Sequence, residues 1–111
     1  MKEMLGESEY DQFYKAITST SPTSIRVNPL KPSVDIPQGN IIPWCNTGRY
    51  LNQRPSFTFD PLFHAGSYYV QEASSMFVNH IISTLISRPS TVLDLCAAPG
   101  GKSTLAISAL P

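Results

Sequence analysis

The stretch Val92-Leu93-Asp94-Leu95-Cys96-Ala97-Ala98-Pro99-Gly100-Gly101-Lys102-Ser103 decides the reading of this chain. An apolar run ends in an acidic residue, passes through small residues and two glycines, and enters a segment with helical spacing. Strand, tight turn and helix N-terminus follow one another in this way where open α/β sheets hold nucleotide-like cofactors. Glycine lets a ligand approach the backbone, and the first turn of a helix offers N–H groups without intrahelical partners. A phosphate-binding P-loop is a poorer fit. Its pattern needs a glycine five residues before the Gly101-Lys102 pair, and that position is Cys96. Pro99 also removes one N–H from the would-be anion cradle.

Upstream of this turn, Ala73, Met76, Phe77, Ile81, Leu85 and Ile86 fall at three-to-four spacing, which predicts a helix over residues 71–86. Pro89 stops it, and the β-branched Thr91 and Val92 open a predicted strand over residues 91–95. That strand is expected to receive Phe77, Ile81 and Leu85. Downstream, Leu105, Ala106 and Ala109 form the packing side of a helix over residues 102–110.

The N-terminal half has a different texture. Ser8 and Asp11 have the spacing of a capping box, followed by Tyr10, Phe13, Tyr14 and Ile17 at helical period. Ser24-Ile25-Arg26-Val27-Asn28 alternates, with Ile25 and Val27 on one face and Arg26 and Asn28 on the other. Seven prolines lie between Pro22 and Pro61, too many for long helices. Short strands are expected at residues 41–45, 50–51, 57–59 and 68–70, with a turn at Asn46-Thr47-Gly48. The predicted fold class is α/β: a small α+β unit over residues 1–66, then the start of a Rossmann-like sheet over residues 67–111.

The 111 residues carry no net charge, so no global field announces a nucleic-acid partner. Charge is unevenly spread: residues 1–25 sum to −2 and residues 26–54 to +3. The basic middle is compatible with phosphate contact, but charge alone favours a solvated surface. Arg26 and Asn28, with Lys31 nearby, are the candidates for contact with phosphate or a base edge, and an exposed strand face is the alternative. Cys45 and Cys96 are far apart and lack metal-ligand spacing, and His64 and His80 are isolated, so no metal site is predicted. Two unpaired cysteines fit a reducing cytoplasmic compartment. No apolar run approaches the length of a membrane helix, and Met1 to Gly6 lacks a signal-peptide core.

Residues Asp94 to Lys102 resemble the cofactor loop of the Sun-type (Fmu-type) RNA cytosine-5 methyltransferases. Two upstream stretches agree in order. Ser24-Ile25-Arg26-Val27-Asn28 resembles that family's N-terminal strand motif, and Gly66-Ser67-Tyr68-Tyr69-Val70-Gln71-Glu72-Ala73-Ser74-Ser75-Met76 resembles the segment before its first methyltransferase strand. The resemblance implies S-adenosyl-L-methionine as cofactor and ribosomal or transfer RNA as partner. Backbone from Cys96 through Ala97, Ala98, Pro99, Gly100 and Gly101 to Lys102 would wrap the cofactor's methionine and ribose, with Asp94 orienting the turn.

Family chemistry requires a cysteine nucleophile, which follows a Pro or a Thr on later strands. Cys45 follows Trp44 and Cys96 follows Leu95, so neither matches, and the catalytic residues are expected beyond Pro111. Only nine residues follow Lys102 and none is acidic, so the ribose-binding carboxylate is missing too. The isolated chain is therefore expected neither to methylate RNA nor to bind the cofactor tightly. A non-catalytic RNA-binding or scaffold module is the alternative reading.

Overall fold

The computed structural model describes residues 1–111. Its centre is a four-stranded antiparallel sheet in the order β2-β3-β1-β4. The strands are β1 (Ser24–Val27), β2 (Asn40–Ile42), β3 (Cys45–Tyr50) and β4 (Tyr68–Val70). β1 lies inside the sheet: Ile25 faces Arg49 of β3 and Val70 of β4, and Arg26 faces Gly48 and Tyr69. The prolines flank these strands rather than interrupt them, as the missing proline N–H requires. An α+β unit with an antiparallel sheet is thus observed, and the sheet continues through Val70.

Alternation along β1 gives the sheet two faces with different occupants. Ile25 points into a cluster with Ile36, Leu51 and Tyr68, walled by Val27, Phe57, Leu62 and Phe63. Leu62 and Phe63 belong to the short helix α2 (Pro61–His64). Asp60 caps α2 by accepting the Leu62 N–H at 2.8 Å, and it also accepts the Tyr68 hydroxyl. That hydroxyl lowers the Asp60 pKa, while burial first and the Asp60 carboxylate second raise the Tyr68 pKa.

The opposite face carries Ile42, Cys45, Ala73, Met76 and Leu105. Leu105 comes from α4 (Gly101–Ala109). Ala73 and Met76 lead through a 3-10 turn, Ser74–Met76, into α3 (Phe77–Leu85). Both helices therefore lie over the face that Arg26 occupies.

Five local expectations are corrected. Asn46-Thr47-Gly48 is not a turn: β2 and β3 connect through Pro43 and Trp44, and the register slips between Ile41 and Ile42. The turn-forming residues supply an irregularity inside β3, the other place where such residues belong. Phe57–Phe59 is a 3-10 turn rather than a strand. The capping box does not form, because α1 (Lys2–Thr18) starts upstream of Ser8, is broken at Gly6 with φ 75°, and has no side-chain cap. The helix predicted from Gln71 starts later, because Gln71 still pairs with Ser24: its N–H reaches the Ser24 carbonyl at 3.3 Å and its carbonyl accepts the Ser24 hydroxyl at 2.7 Å.

The fifth correction concerns residues 91–95. They form no strand, and no backbone hydrogen bond joins them to the sheet. A strand exists only against a partner's N–H and C=O groups. Leu93 and Leu95 are 81% and 85% exposed. Phe77, Ile81 and Leu85 are accordingly exposed as well, and α3 turns Val78 and Ile82 inward instead.

Candidate cofactor groove

The turn between residue 94 and α4 is held by one carboxylate. Asp94 Oδ1 accepts the Cys96 N–H at 2.9 Å, and Asp94 Oδ2 accepts the Ser103 hydroxyl at 2.6 Å. Residues 94 and 103 are thereby tied across the whole glycine segment. The Ser103 hydroxyl, and after it the Cys96 N–H, hold the Asp94 pKa below the usual carboxylate value. This tie contributes fully above the ordinary aspartate pKa, and it is lost as pH falls through the lower folded value. Followed by NMR, the Cys96 amide shift is expected to titrate with a midpoint below about 3.9, the ordinary aspartate value. A midpoint at or above that value would mean that the carboxylate does not hold the turn.

Gly100 supplies the corner. Its φ of 102° lies in the left-handed region, and it stands at the N-cap of α4. No side chain caps that helix. The first-turn N–H groups therefore have no side-chain acceptor, and the helix dipole adds positive potential at the same point. Lys102 is exposed beside them.

Across from the turn stand Tyr69, Gln71 and Ser75. Between these and residues 96–102 lies a groove of about 240 Å³. The Tyr69 hydroxyl donates to the Pro99 carbonyl at 3.4 Å. A Cβ on Gly101 would sit 3.2 Å from the Tyr69 ring and 3.6 Å from the Gln71 amide nitrogen. Glycine at 101 thus keeps the groove open. Backbone donors, a helix N-terminus and a lysine on one wall suit a ligand that carries a carboxylate.

The predicted RNA-contact residues are separated. Lys31 is exposed and donates to the Ala65 carbonyl at 2.8 Å. Asn28 pins the same region, donating to the Gly66 carbonyl at 2.9 Å and accepting the Leu30 N–H at 3.0 Å. Arg26 does not share an exposed face with them, because α4 covers it: it is 6% exposed. A second cavity of about 460 Å³, reaching Arg26, Leu30 and Ile107, lies beyond Tyr69. Cys45 is buried in β3 and Cys96 is exposed in the turn, both as free thiols. Sequence reasoning missed Tyr69 and Gln71 as walls of the groove, and Thr104 and Ser108 as partners of Arg26. The signal for the first two was the alternation of Tyr68-Tyr69-Val70-Gln71, which places Tyr69 and Gln71 on the face of Arg26 once β4 pairs with β1.

Residues 1–73 match the model of the N-terminal domain of 16S rRNA methyltransferase RsmF. The chain is 37% identical over 120 residues to ribosomal RNA small subunit methyltransferase F of Pectobacterium atrosepticum, covering 94% of this chain and 24% of that protein. With the enzyme of the same name from Escherichia coli O1:K1 the identity is 37% over 109 residues, covering 86% and 22%. The chain thus spans about a quarter of the length of these curated relatives. Among solved structures, a methyltransferase homolog protein from Pyrococcus horikoshii superposes with a TM-score of 0.70 at 30% identity, over 98% of this chain and 43% of that one. The Sun-type resemblance carried by the glycine turn and the two upstream stretches is borne out, and the chain belongs to the RsmF N-terminal-domain family of ribosomal RNA methyltransferases.

Proposed function

We propose that this chain is the N-terminal part of an S-adenosylmethionine-dependent methyltransferase that modifies cytosine C5 in small-subunit ribosomal RNA. The observation that carries the reading is the groove between residues 96–102 and Tyr69, with Gly100 in a left-handed conformation at the start of an uncapped helix. The residues present fit the amino-acid end of the cofactor. Backbone N–H groups of the first turn of α4 and the Lys102 ammonium would receive its carboxylate. The bound cofactor supplies an electrophilic methyl group. Asp94 keeps the turn closed, and the tyrosine and glutamine wall limits how far the ligand can slide. The nucleophile and the proton acceptor are assigned to residues outside these 111.

RNA contact is assigned to the exposed loop around Lys31 and Asn28 rather than to Arg26, whose donors are engaged within the protein. Its surface charge favours phosphate. Purified complete methyltransferase, given radiolabelled S-adenosylmethionine and unmodified small ribosomal subunits, is expected to label 16S ribosomal RNA. Bisulfite sequencing is expected to place the methyl on a cytosine C5. No label, or label at another atom, would overturn the proposal.

A further inference from the structure

Arg26 sits where the sheet, the segment after β4 and the cofactor turn meet. Its backbone is fixed on both sides, opposite Gly48 and opposite Tyr69. Its side chain passes under α4 and uses every arm. Nε donates to Gln71 Oε1 at 3.0 Å, Nη1 to Ser108 Oγ at 3.4 Å and Nη2 to Thr104 Oγ1 at 2.6 Å. The Thr104 hydroxyl donates in turn to the Gly100 carbonyl at 2.8 Å. A continuous chain of hydrogen bonds therefore runs from β1 to the left-handed glycine that opens α4.

This is an unusual use of a buried charge. No carboxylate pairs with it, and its side-chain acceptors are an amide and two hydroxyls. Burial lowers the Arg26 pKa, yet a guanidinium stays protonated at neutral pH. Burying a charge among neutral acceptors costs free energy that an apolar side chain would avoid. What the arginine gains is geometry: a planar fork that reaches Gln71 on one side and two turns of α4 on the other. Gln71, so held, is also a wall of the groove, close to Gly101.

Resting on the proposed methyltransferase reading, we infer that Arg26 is a positioning residue for cofactor binding. Through Thr104 and Gln71 it sets the start of α4, and with it the width of the groove between residues 96–102 and the sheet. It acts on the cofactor through these partners and touches neither cofactor nor RNA.

The test uses the complete methyltransferase and two measurements on each variant. S-adenosylmethionine affinity is taken by calorimetry, and ribosomal RNA affinity across a salt series. Arg26→Met and Thr104→Val are each expected to weaken cofactor binding about five-fold or more, from the loss of one or more hydrogen bonds to a charged group. RNA affinity and its salt slope are expected to stay unchanged. A salt slope for RNA that drops by about one in Arg26→Met would make Arg26 a phosphate contact and overturn the inference. Unchanged cofactor affinity in Thr104→Val would overturn it as well, and this arm stands even if Arg26→Met fails to fold. Failure of the unmutated protein to bind S-adenosylmethionine is a different result, because it overturns the proposed function and not the hydrogen-bond chain.

Discussion

Replacing Gly39 by alanine is expected to destabilise the chain by about 3 kcal/mol or more, among the larger effects of any single substitution. Gly39 precedes β2, whose first residue, Asn40, pairs with Tyr50. A Cβ at 39 would overlap the Tyr50 carbonyl oxygen, lie 2.9 Å from the carbonyl carbon and press on Leu51 at 3.3 Å. The first two are backbone atoms of a paired strand and cannot rotate away. Relief requires β2 to separate from β3, which would uncover Ile42 and Cys45, both fully buried. Urea denaturation followed by circular dichroism checks this. A midpoint displaced by the equivalent of less than about 0.5 kcal/mol, the usual range of surface substitutions, would show that the close approach is not a constraint.

Gly100→Ala is expected to act on the ligand rather than on the core. Gly100 has open space around its Cβ position, so sterics against neighbours are not the cause. Its φ of 102° is the cause, because a Cβ there costs about 1–2 kcal/mol. The turn would relax toward negative φ and move the Gly100 carbonyl, which accepts both the Thr104 N–H at 2.9 Å and the Thr104 hydroxyl at 2.8 Å. Cofactor affinity of the complete methyltransferase is expected to fall about ten-fold, the equivalent of roughly 1.4 kcal/mol. Gly100→Asn is expected to lose less, since asparagine tolerates the left-handed region better than alanine. Equal affinities for wild type and Gly100→Ala, measured by calorimetry, would contradict the assignment of this turn.

What could be read from residues alone was what depends on near neighbours. Alternation of Ile25 and Val27 against Arg26 and Asn28 marked β1, and Tyr68-Tyr69-Val70 marked β4. Leu105 was placed correctly in the packing side of α4, where it is fully buried. The glycine turn was legible because its chemistry is local: Asp94, Gly100 and Ser103 lie within ten residues.

Features set by distant partners were not legible. Alternation puts Arg26 on the polar side of β1 but does not say what covers that side. The cover is α4, some 75 residues later. Residues 91–95 have strand-forming composition, but composition supplies no hydrogen-bond partner, and none pairs with them. Asn46-Thr47-Gly48 has the residues of a turn, and only the register of β2 against β3 makes it an irregularity within a strand. The helical stripe of Tyr10, Phe13, Tyr14 and Ile17 does form a helix, but α1 buries none of its residues.

Residues 96–102, faced by Tyr69 and Gln71, are proposed to hold the amino-acid end of S-adenosylmethionine. A crystal structure of the complete methyltransferase with S-adenosylhomocysteine tests this most directly. The ligand's carboxylate is expected on the backbone N–H groups at the start of α4, with Tyr69 across the groove and the Asp94–Ser103 hydrogen bond intact. Ligand density anywhere else on the protein, with this groove empty, would contradict the account.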